Sequence, residues 1–275
     1  MNDLDYEFHA ERYKDLITSP NQQTKVAGEV RALDDHQLAV RTELLNLTSE
    51  VIATSQKLSN VKAQHYLQFG AGRRLRMMLA SYCGVFDTVA ADRKEPLPLA
   101  EMAEVSRDLN VVYINIRGVL DNYAWALYLE KGMSKTSKLK DEQVGLFNKA
   151  FRNNDSLKAL KPVLDANLDW NTSLKSRRDP SAHRMPLYVP PAILTEADAT
   201  RHQEIWTERL AAIQNGEYER DNELADEQSK LGTFTPHFMH DPTGDGFPIY
   251  RTVPTDVGVM ITLGRAIHAD LLPPP

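Results

Sequence analysis

Apolar residues recur every three or four positions through most of the chain, which is the spacing of one face of an α-helix. The pattern is strongest over 99–131, and Gly132 follows at the position of a left-handed C-terminal cap. Within that stretch Arg117 and Asp121 are four residues apart, so we expect them to pair. The same spacing predicts further helices over 4–17, 23–66, 73–91, 141–151, 156–177 and 255–271. We therefore predict an all-α helical bundle.

Residues 233–253 break this pattern, because two short apolar stretches flank a segment of turn-forming residues. The segment 241–246 contains one proline, two glycines and two aspartates, which predicts the turn of a β-hairpin. Both flanking stretches contain proline, which cannot donate to a strand ladder, so we expect a small edge hairpin. The chain then divides into a long N-terminal helical arm, a helical core, and a C-terminal part packed on that core, over 1–66, 67–194 and 195–275.

The composition is that of an ordinary globular protein, with 42% hydrophobic and 25% charged residues. Cys83 is the single cysteine, which excludes an internal disulfide and a cysteine-based zinc cluster. The first residues are acidic and lack the apolar core of a signal peptide. No apolar run reaches the roughly 18 residues that a membrane-spanning helix needs. We expect a cytoplasmic protein without a membrane segment.

Charge is distributed unevenly along the chain, although the net charge is only −6. Residues 131–184 contain 12 Lys and Arg against 6 Asp and Glu, whereas residues 195–230 contain 10 acidic and 4 basic residues. Thr195 and Asp198 have the spacing of a capping box and predict the start of the acidic helix. The basic stretch would suit an RNA-binding surface. Alternatively, the acidic helix packs on the basic one and the two charges compensate each other.

The stretch 177–191, RRDPSAHRMPLYVPP, contains several side chains that could act in a catalytic or binding site. Asp179 followed by Pro180 predicts an N-cap and the first position of a short helix that carries His183. An imidazole that titrates near neutrality, beside guanidinium groups that bind phosphate bidentately, suits phosphodiester chemistry. Arginine and histidine at helix junctions also cap carbonyls or form surface pairs, so a structural role is the alternative.

Arg178, Asp179 and His183 resemble the signature of the HEPN family, which is an arginine, a polar residue, a few further positions and a histidine. The segment 187–191 is also similar to one that follows the motif in some uncharacterised bacterial members of that family. The resemblance covers about 67–194. It implies a dimeric α-helical bundle that acts as a metal-independent RNA endonuclease in a toxin–antitoxin or phage-defence system.

By position in the motif, the resemblance implies that Arg178 binds the scissile phosphate and that His183 acts as general base or acid. Asp179 would orient one of them. Further cationic residues expected to contact RNA are Arg177, Arg184 and Lys175. Arg177 is also a second candidate for the motif arginine. A dimer would bring two such sites together, an antitoxin or a nucleotidyltransferase is an expected partner, and no cofactor is expected.

The spacing that carries this resemblance occurs twice in the chain, and two other functions are alternatives to a nuclease. Arg31 and His36 have the same separation as Arg178 and His183 but lie in a charged helical stretch without the polar residue, so the spacing alone is not specific. A non-catalytic HEPN-like module that binds a partner protein or a nucleotide is the first alternative, favoured by the N-terminal arm and the acidic helix. A helical metal hydrolase built on scattered histidines is the second. Side chains three apart on a strand, such as those of His237 and His240, face opposite ways, so we predict no bound metal.

Overall fold

A computed structural model of the protein describes residues 23–136, 139–241 and 246–272. Most of these residues are helical, which confirms the predicted all-α class. Within the described ranges, no helix is both long enough and apolar enough to cross a lipid bilayer. The α-helices are α1 Gln23–Ser55, α2 Val61–His65, α3 Gly72–Thr88, α4 Leu99–Glu130, α5 Met133–Thr136, α6 Lys149–Arg152, α7 Lys161–Ala166, α8 Leu168–His183, α9 Glu196–Asn215, α10 Tyr218–Ser229 and α11 Ile249–Leu271.

Helix α4 is the centre of the fold, as its apolar pattern predicts. It packs against α3, α8 and α11, and its apolar face is completely buried at positions that include Val112, Ile116 and Val119. Gly132 follows the helix with a φ of 68°, which confirms the predicted left-handed cap. A single hydrophobic core runs from Leu33 in α1 to Leu271 in α11, so these helices stabilise one another by burying a shared apolar surface.

The N-terminal region packs on this core. Leu44, Leu47 and Val51 of α1 are fully buried, and α1 lies against α3 and α11. The helix predicted over 23–66 ends at Ser55 because the backbone N–H groups of Ser59 and Asn60 turn away to the carboxylate of Glu130 at the end of α4. The Asn60 side chain then accepts from the N–H groups of Lys62 and Ala63 and begins α2. The helix predicted over 4–17 lies outside the described residues.

A π-helical segment, Tyr66–Ala71, joins α2 to α3 and contains Gly70. Gly70 lies in this segment directly against α4, and a Cβ added there would be 2.0 Å from Oδ1 of Asn122. A wider π-turn shifts the side chains that follow it relative to a regular helix, and such turns occur often at functional sites. The segment sets where Phe69 stands on the surface.

Residues 141–183 form short helical pieces in place of the two helices predicted over 141–151 and 156–177. The side chain of Asn148 accepts from the N–H of Ala150 and begins α6, and Asn154 caps a single 3₁₀ turn, Asp155–Leu157, in the same way. Each such cap favours a new helix start over continuation of the previous helix. The last piece, α8, is the longest and carries the Arg/His motif.

The C-terminal hairpin is smaller than predicted. Strands β1, His237–Phe238, and β2, Phe247–Pro248, pair antiparallel. The predicted second strand over 247–253 is wrong beyond Pro248, because α11 begins at Ile249, six residues before the predicted helix. Tyr250 holds the start of α11 against the core, because its ring is buried and its hydroxyl donates to the carbonyl of Val89 at 2.7 Å. Residues 242–245 of the predicted turn lie outside the described ranges.

Helices α9 and α10 pack on each other and form an acidic hairpin. Thr195 and Asp198 exchange side-chain and backbone hydrogen bonds, which confirms the predicted capping box. The acidic side chains pair with arginines of the same hairpin: Arg201 with Glu227 at 2.7 Å and Arg209 with Asp221 at 2.7 Å. The four basic residues of the hairpin thus offset four of its ten acidic charges, and these ion pairs do not connect the hairpin to the basic stretch.

Candidate functional site

Helix α8 carries the Arg/His motif in its last two turns. The predicted N-cap at Asp179 is wrong, because Asp179 and Pro180 lie inside the helix, which continues to His183. Proline inside a helix removes one hydrogen bond and costs about 3 kcal/mol. Tertiary contacts on the buried face of α8, made by Leu174 and Arg177, outweigh this cost. The Ser181 hydroxyl also donates to the carbonyl of Arg177 at 2.9 Å.

Arg177 is a buried structural residue. Its Nε and Nη2 atoms donate to the two carboxylate oxygens of Asp256 in α11 at 2.9 and 2.7 Å. The same carboxylate accepts from the Tyr113 hydroxyl and from Nε1 of Trp170, both at 2.9 Å. The guanidinium carbon also lies 5.6 Å from the centre of the Phe247 ring. Because this guanidinium is enclosed by protein, Arg177 has no place in the RNA-binding proposal made below.

This network joins three parts of the chain, since Tyr113 belongs to α4, Arg177 to α8 and Asp256 to α11. Burial raises the pKa of the Asp256 carboxyl, and the guanidinium of Arg177 together with the hydrogen bonds from Tyr113 and Trp170 opposes that rise. Four donors directed at two carboxylate oxygens stabilise the ionised form. The network fixes the rotation of α8 about its axis. It therefore also fixes the direction of Arg178, the residue after Arg177.

Arg178 is partly exposed, with 26% of its side chain accessible. Its Nη1 donates to Oδ1 of Asp179 at 3.2 Å, and its Nε has no hydrogen-bond partner among the described residues. Lys175 and Arg184, also predicted to contact RNA, are exposed. His183 is the last residue of α8, and the position of its imidazole lies outside what the structure describes. The structure therefore places Arg178 and Asp179 together and exposes the flanking cations.

Arg178 is one of three arginines whose positive charges act on the Asp121 carboxylate, and we call them the arginine cluster: Arg74, Arg117 and Arg178. Arg117 contacts the Asp121 carboxylate at 3.3 Å, which confirms the pairing predicted from their spacing. Its Nη1 also donates to Oδ1 of Asn171 in α8 at 3.3 Å. The cluster thus spans α3, α4 and α8, and its three positive charges face two carboxylates, those of Asp121 and Asp179.

The pKa of Asp121 records the balance of forces in this cluster. Partial burial raises it, and the guanidinium groups of Arg117, Arg178 and Arg74 act in the opposite direction. Two carboxylates, Asp121 and Asp179, cannot neutralise three guanidinium groups, so the cluster has an excess of positive charge. An excess of guanidinium donors is what a phosphate group requires of its site.

A groove of about 510 Å³ adjoins the arginine cluster and shares Arg74 with it. Arg74 lies on Gly118, where an added Cβ would be 2.5 Å from its guanidinium atoms, and its Nη1 donates to Oδ1 of Asn115 at 3.2 Å. We call this surface the Phe69 groove, and its lining residues are Phe69, Gly70, Arg73, Arg74, Met77, Val111, Ile114, Asn115 and Asn122.

The histidines considered as metal ligands do not form a cluster. Nδ1 of His240 lies 3.0 Å from the carbonyl oxygen of Met185, and burial lowers the pKa of His237. In the parts of the chain that the structure describes, no three His, Cys, Asp or Glu side chains are grouped so that they could hold a metal ion.

Three contributors to this surface were missed by the sequence pattern. Arg74 and Asn115 stand in amphipathic helices, where polar residues are expected on any exposed face. Phe69 precedes Arg73 by four residues and is followed by Gly70 and Gly72, and the spacing of Phe69 and Arg73 was the available signal. Asp256 was also missed, although a single carboxylate among Val253, Val257 and Met260 indicates a buried charge that needs a partner.

Comparison of the chain with protein-family models, curated proteins and solved structures gives no match. The function proposed below is therefore argued from the side chains of this molecule and from the motif in α8.

Proposed function

We propose that the protein is a metal-independent RNA endonuclease whose active site is formed by Arg178, Asp179 and His183. The observation that carries this proposal is that Arg178 is partly exposed and belongs to the arginine cluster, while its neighbour Arg177 is buried. A helix that presents one motif arginine beside two further guanidinium groups offers a site for a phosphodiester. The exposed Lys175 and Arg184 would extend this positive surface along the RNA backbone.

In the proposed reaction, a histidine removes the proton from the ribose 2′-hydroxyl and the 2′-oxygen attacks phosphorus. The bond to the 5′-oxygen breaks, and an acid protonates that leaving oxygen. The products are a 2′,3′-cyclic phosphate and a free 5′-hydroxyl. Arg178 would bind the phosphoryl oxygens as charge develops on them, and Asp179, which accepts a hydrogen bond from Arg178, would orient its guanidinium.

The proposal includes a homodimer. One His183 cannot act as base and as acid in the same step, and the reaction needs both. Two copies related by a twofold axis would supply a base and an acid to one phosphate through an isologous interface. We further propose that such a nuclease works in a toxin–antitoxin or phage-defence system, with an antitoxin or a nucleotidyltransferase as its partner.

RNA cleavage in the presence of EDTA tests the activity, with detection of the cyclic phosphate by mass spectrometry. His183→Ala and Arg178→Ala should each abolish cleavage and leave the melting temperature within a few degrees of the wild-type value. Arg31→Ala and His36→Ala are matched controls, because they repeat the motif spacing in α1, where Arg31 is exposed and pairs with Asp35. Both control variants should cleave normally.

Two outcomes would contradict this function. Absence of cleavage by the wild-type protein across single-stranded and structured RNAs would leave the non-catalytic binding module as the better description. Loss of folding in His183→Ala would mean that His183 has a structural role.

A further inference from the structure

The Phe69 groove places an aromatic ring beside two guanidinium groups. Phe69 is 45% exposed, although large aromatic side chains are normally covered. Cζ of Arg73 lies 5.0 Å from the centre of its ring, and the ring of His65 lies 5.4 Å away at a tilt of 56°. Arg74 also lines the groove and donates a hydrogen bond to Asn115. The flat face of Phe69 is thus next to fixed positive charge.

The remaining lining defines what kind of ligand fits. Among the lining residues there are two arginines and no acidic residue, so the groove itself favours a negatively charged group. Met77 and Ile114 also line it and are exposed, at 54% and 39%, which favours an apolar, flat group beside the charge. A ligand with only a phosphate would leave this apolar surface in water, and a purely apolar ligand would leave the arginines unused.

The amide of Asn122, which also lines the groove, supplies polar selectivity. Nδ2 of Asn122 donates to the carbonyl of Gly118 at 2.5 Å, so the carbonyl oxygen of this amide has its hydrogen-bonding capacity left for another donor. That oxygen lies against Gly70, where any side chain would displace it. A side-chain carbonyl in the lining of a groove that contains an aromatic ring suits the amino or imino N–H of a nucleobase.

We propose that the Phe69 groove is a nucleotide-binding site, in which a nucleobase stacks on Phe69 and its phosphate binds Arg73 and Arg74. The volume of about 510 Å³ is in the range of small-ligand sites. A free mononucleotide and one nucleotide of a single-stranded RNA share this chemistry. The groove shares Arg74 with the arginine cluster but does not include Arg178 or His183, so binding there does not depend on whether those two residues cleave RNA.

The test measures dissociation constants of the purified full chain for AMP, for UMP and for a short single-stranded RNA, with the corresponding double-stranded RNA as a further probe. Phe69→Leu keeps an apolar side chain but removes the stacking face, so affinity should fall roughly tenfold. Phe69→Trp should restore it. Arg74→Gln should weaken binding of every phosphate-bearing probe and reduce its dependence on salt.

Matched controls come from the α9–α10 hairpin. Tyr218→Leu removes an aromatic ring that is 69% exposed, and Arg220→Gln removes an exposed arginine, so neither should change affinity. Binding of the mononucleotides identifies a free nucleotide as the ligand, and binding of the single-stranded RNA alone identifies an RNA strand. The proposal is overturned if the wild-type protein binds none of these probes, if Phe69→Leu and Arg74→Gln bind as tightly as wild type, or if duplex RNA binds as well as the single strand.

These outcomes separate the two proposals. Cleavage that persists in Phe69→Leu with unchanged affinity would remove the nucleotide site and leave the nuclease. Binding that depends on Phe69 and Arg74, without any cleavage by the wild-type protein, would support the nucleotide site and contradict the nuclease.

Discussion

Arg177 and Asp256 form a bidentate ion pair in the interior of the protein, 79 residues apart in the chain, with N–O distances of 2.9 and 2.7 Å. Arg178, the next residue, instead reaches the surface and pairs with Asp179. Two adjacent arginines in one helix therefore have opposite environments. The buried pair holds α8 against α11, and it also determines which arginine remains for a ligand.

Asp256→Asn should strongly destabilise the protein, because it leaves the guanidinium of Arg177 buried without a counter-charge. We expect the free energy of unfolding to fall by roughly 3–5 kcal/mol in chemical denaturation. Asp179→Asn is the matched control, since it removes the carboxylate from the exposed pair with Arg178. That variant should cost less than about 1 kcal/mol. Equal losses in the two variants would contradict the structural role assigned to Arg177.

Buried His268 should make stability depend on pH. Burial lowers its pKa to about 4, from an ordinary value of 6.5. Between these values the unfolded chain binds a proton that the folded protein does not, so the free energy of unfolding should increase with pH from 4 to 6.5 and decrease as the solution is acidified. The contribution approaches about 1.4 kcal/mol per pH unit inside that window.

Chemical denaturation at several pH values checks this prediction, by comparing how the free energy of unfolding changes with pH in the wild type and in two variants. His268→Gln should remove this part of the slope. Tyr123→Phe is the control, because it removes the hydroxyl that lies 3.0 Å from Nε2 of His268 but keeps the imidazole buried. It should lower stability by about 1 kcal/mol at every pH and retain the slope. A wild-type slope that survives in His268→Gln would assign the pH dependence to other groups.

Two glycine-to-alanine substitutions should differ because of Arg74. Gly28 lies in α1 with no atom within 4 Å of an added Cβ, so Gly28→Ala should stabilise the protein by about 0.5–1 kcal/mol through helix propensity. Gly118→Ala has the same propensity gain in α4. It would, however, displace the guanidinium of Arg74, which lies 2.5 Å from the new Cβ, and break its hydrogen bond to Asn115.

Thermal unfolding of the two variants measures this difference. Gly28→Ala should raise the melting temperature, and Gly118→Ala should raise it less or lower it. A gain in Gly118→Ala equal to that in Gly28→Ala would show that Arg74 is free to move and is not held over Gly118.

Local features of the chain were predictable because their causes lie within a few residues. The apolar period of α4, the left-handed cap at Gly132 and the capping box at Thr195 all depend on neighbours no more than one or two turns away. The hairpin at 233–253 was predictable in type but not in extent. Its second strand ends where Tyr250 is drawn into the core by contacts with Phe86 and Val89, which are distant in the chain.

The candidate site was predictable only in part. The sequence by itself identified the Arg/His motif and the helical character of the protein, because both depend only on residue type and spacing. It could not distinguish Arg177 from Arg178, because successive residues of a helix differ by about 100° in direction and only the neighbouring helices determine which side is buried. The rotation of α8 is set by the carboxylate of Asp256 in α11, which binds Arg177 and Trp170 of α8 and Tyr113 of α4. The tertiary structure therefore decided which arginine supports the fold and which one reaches the surface.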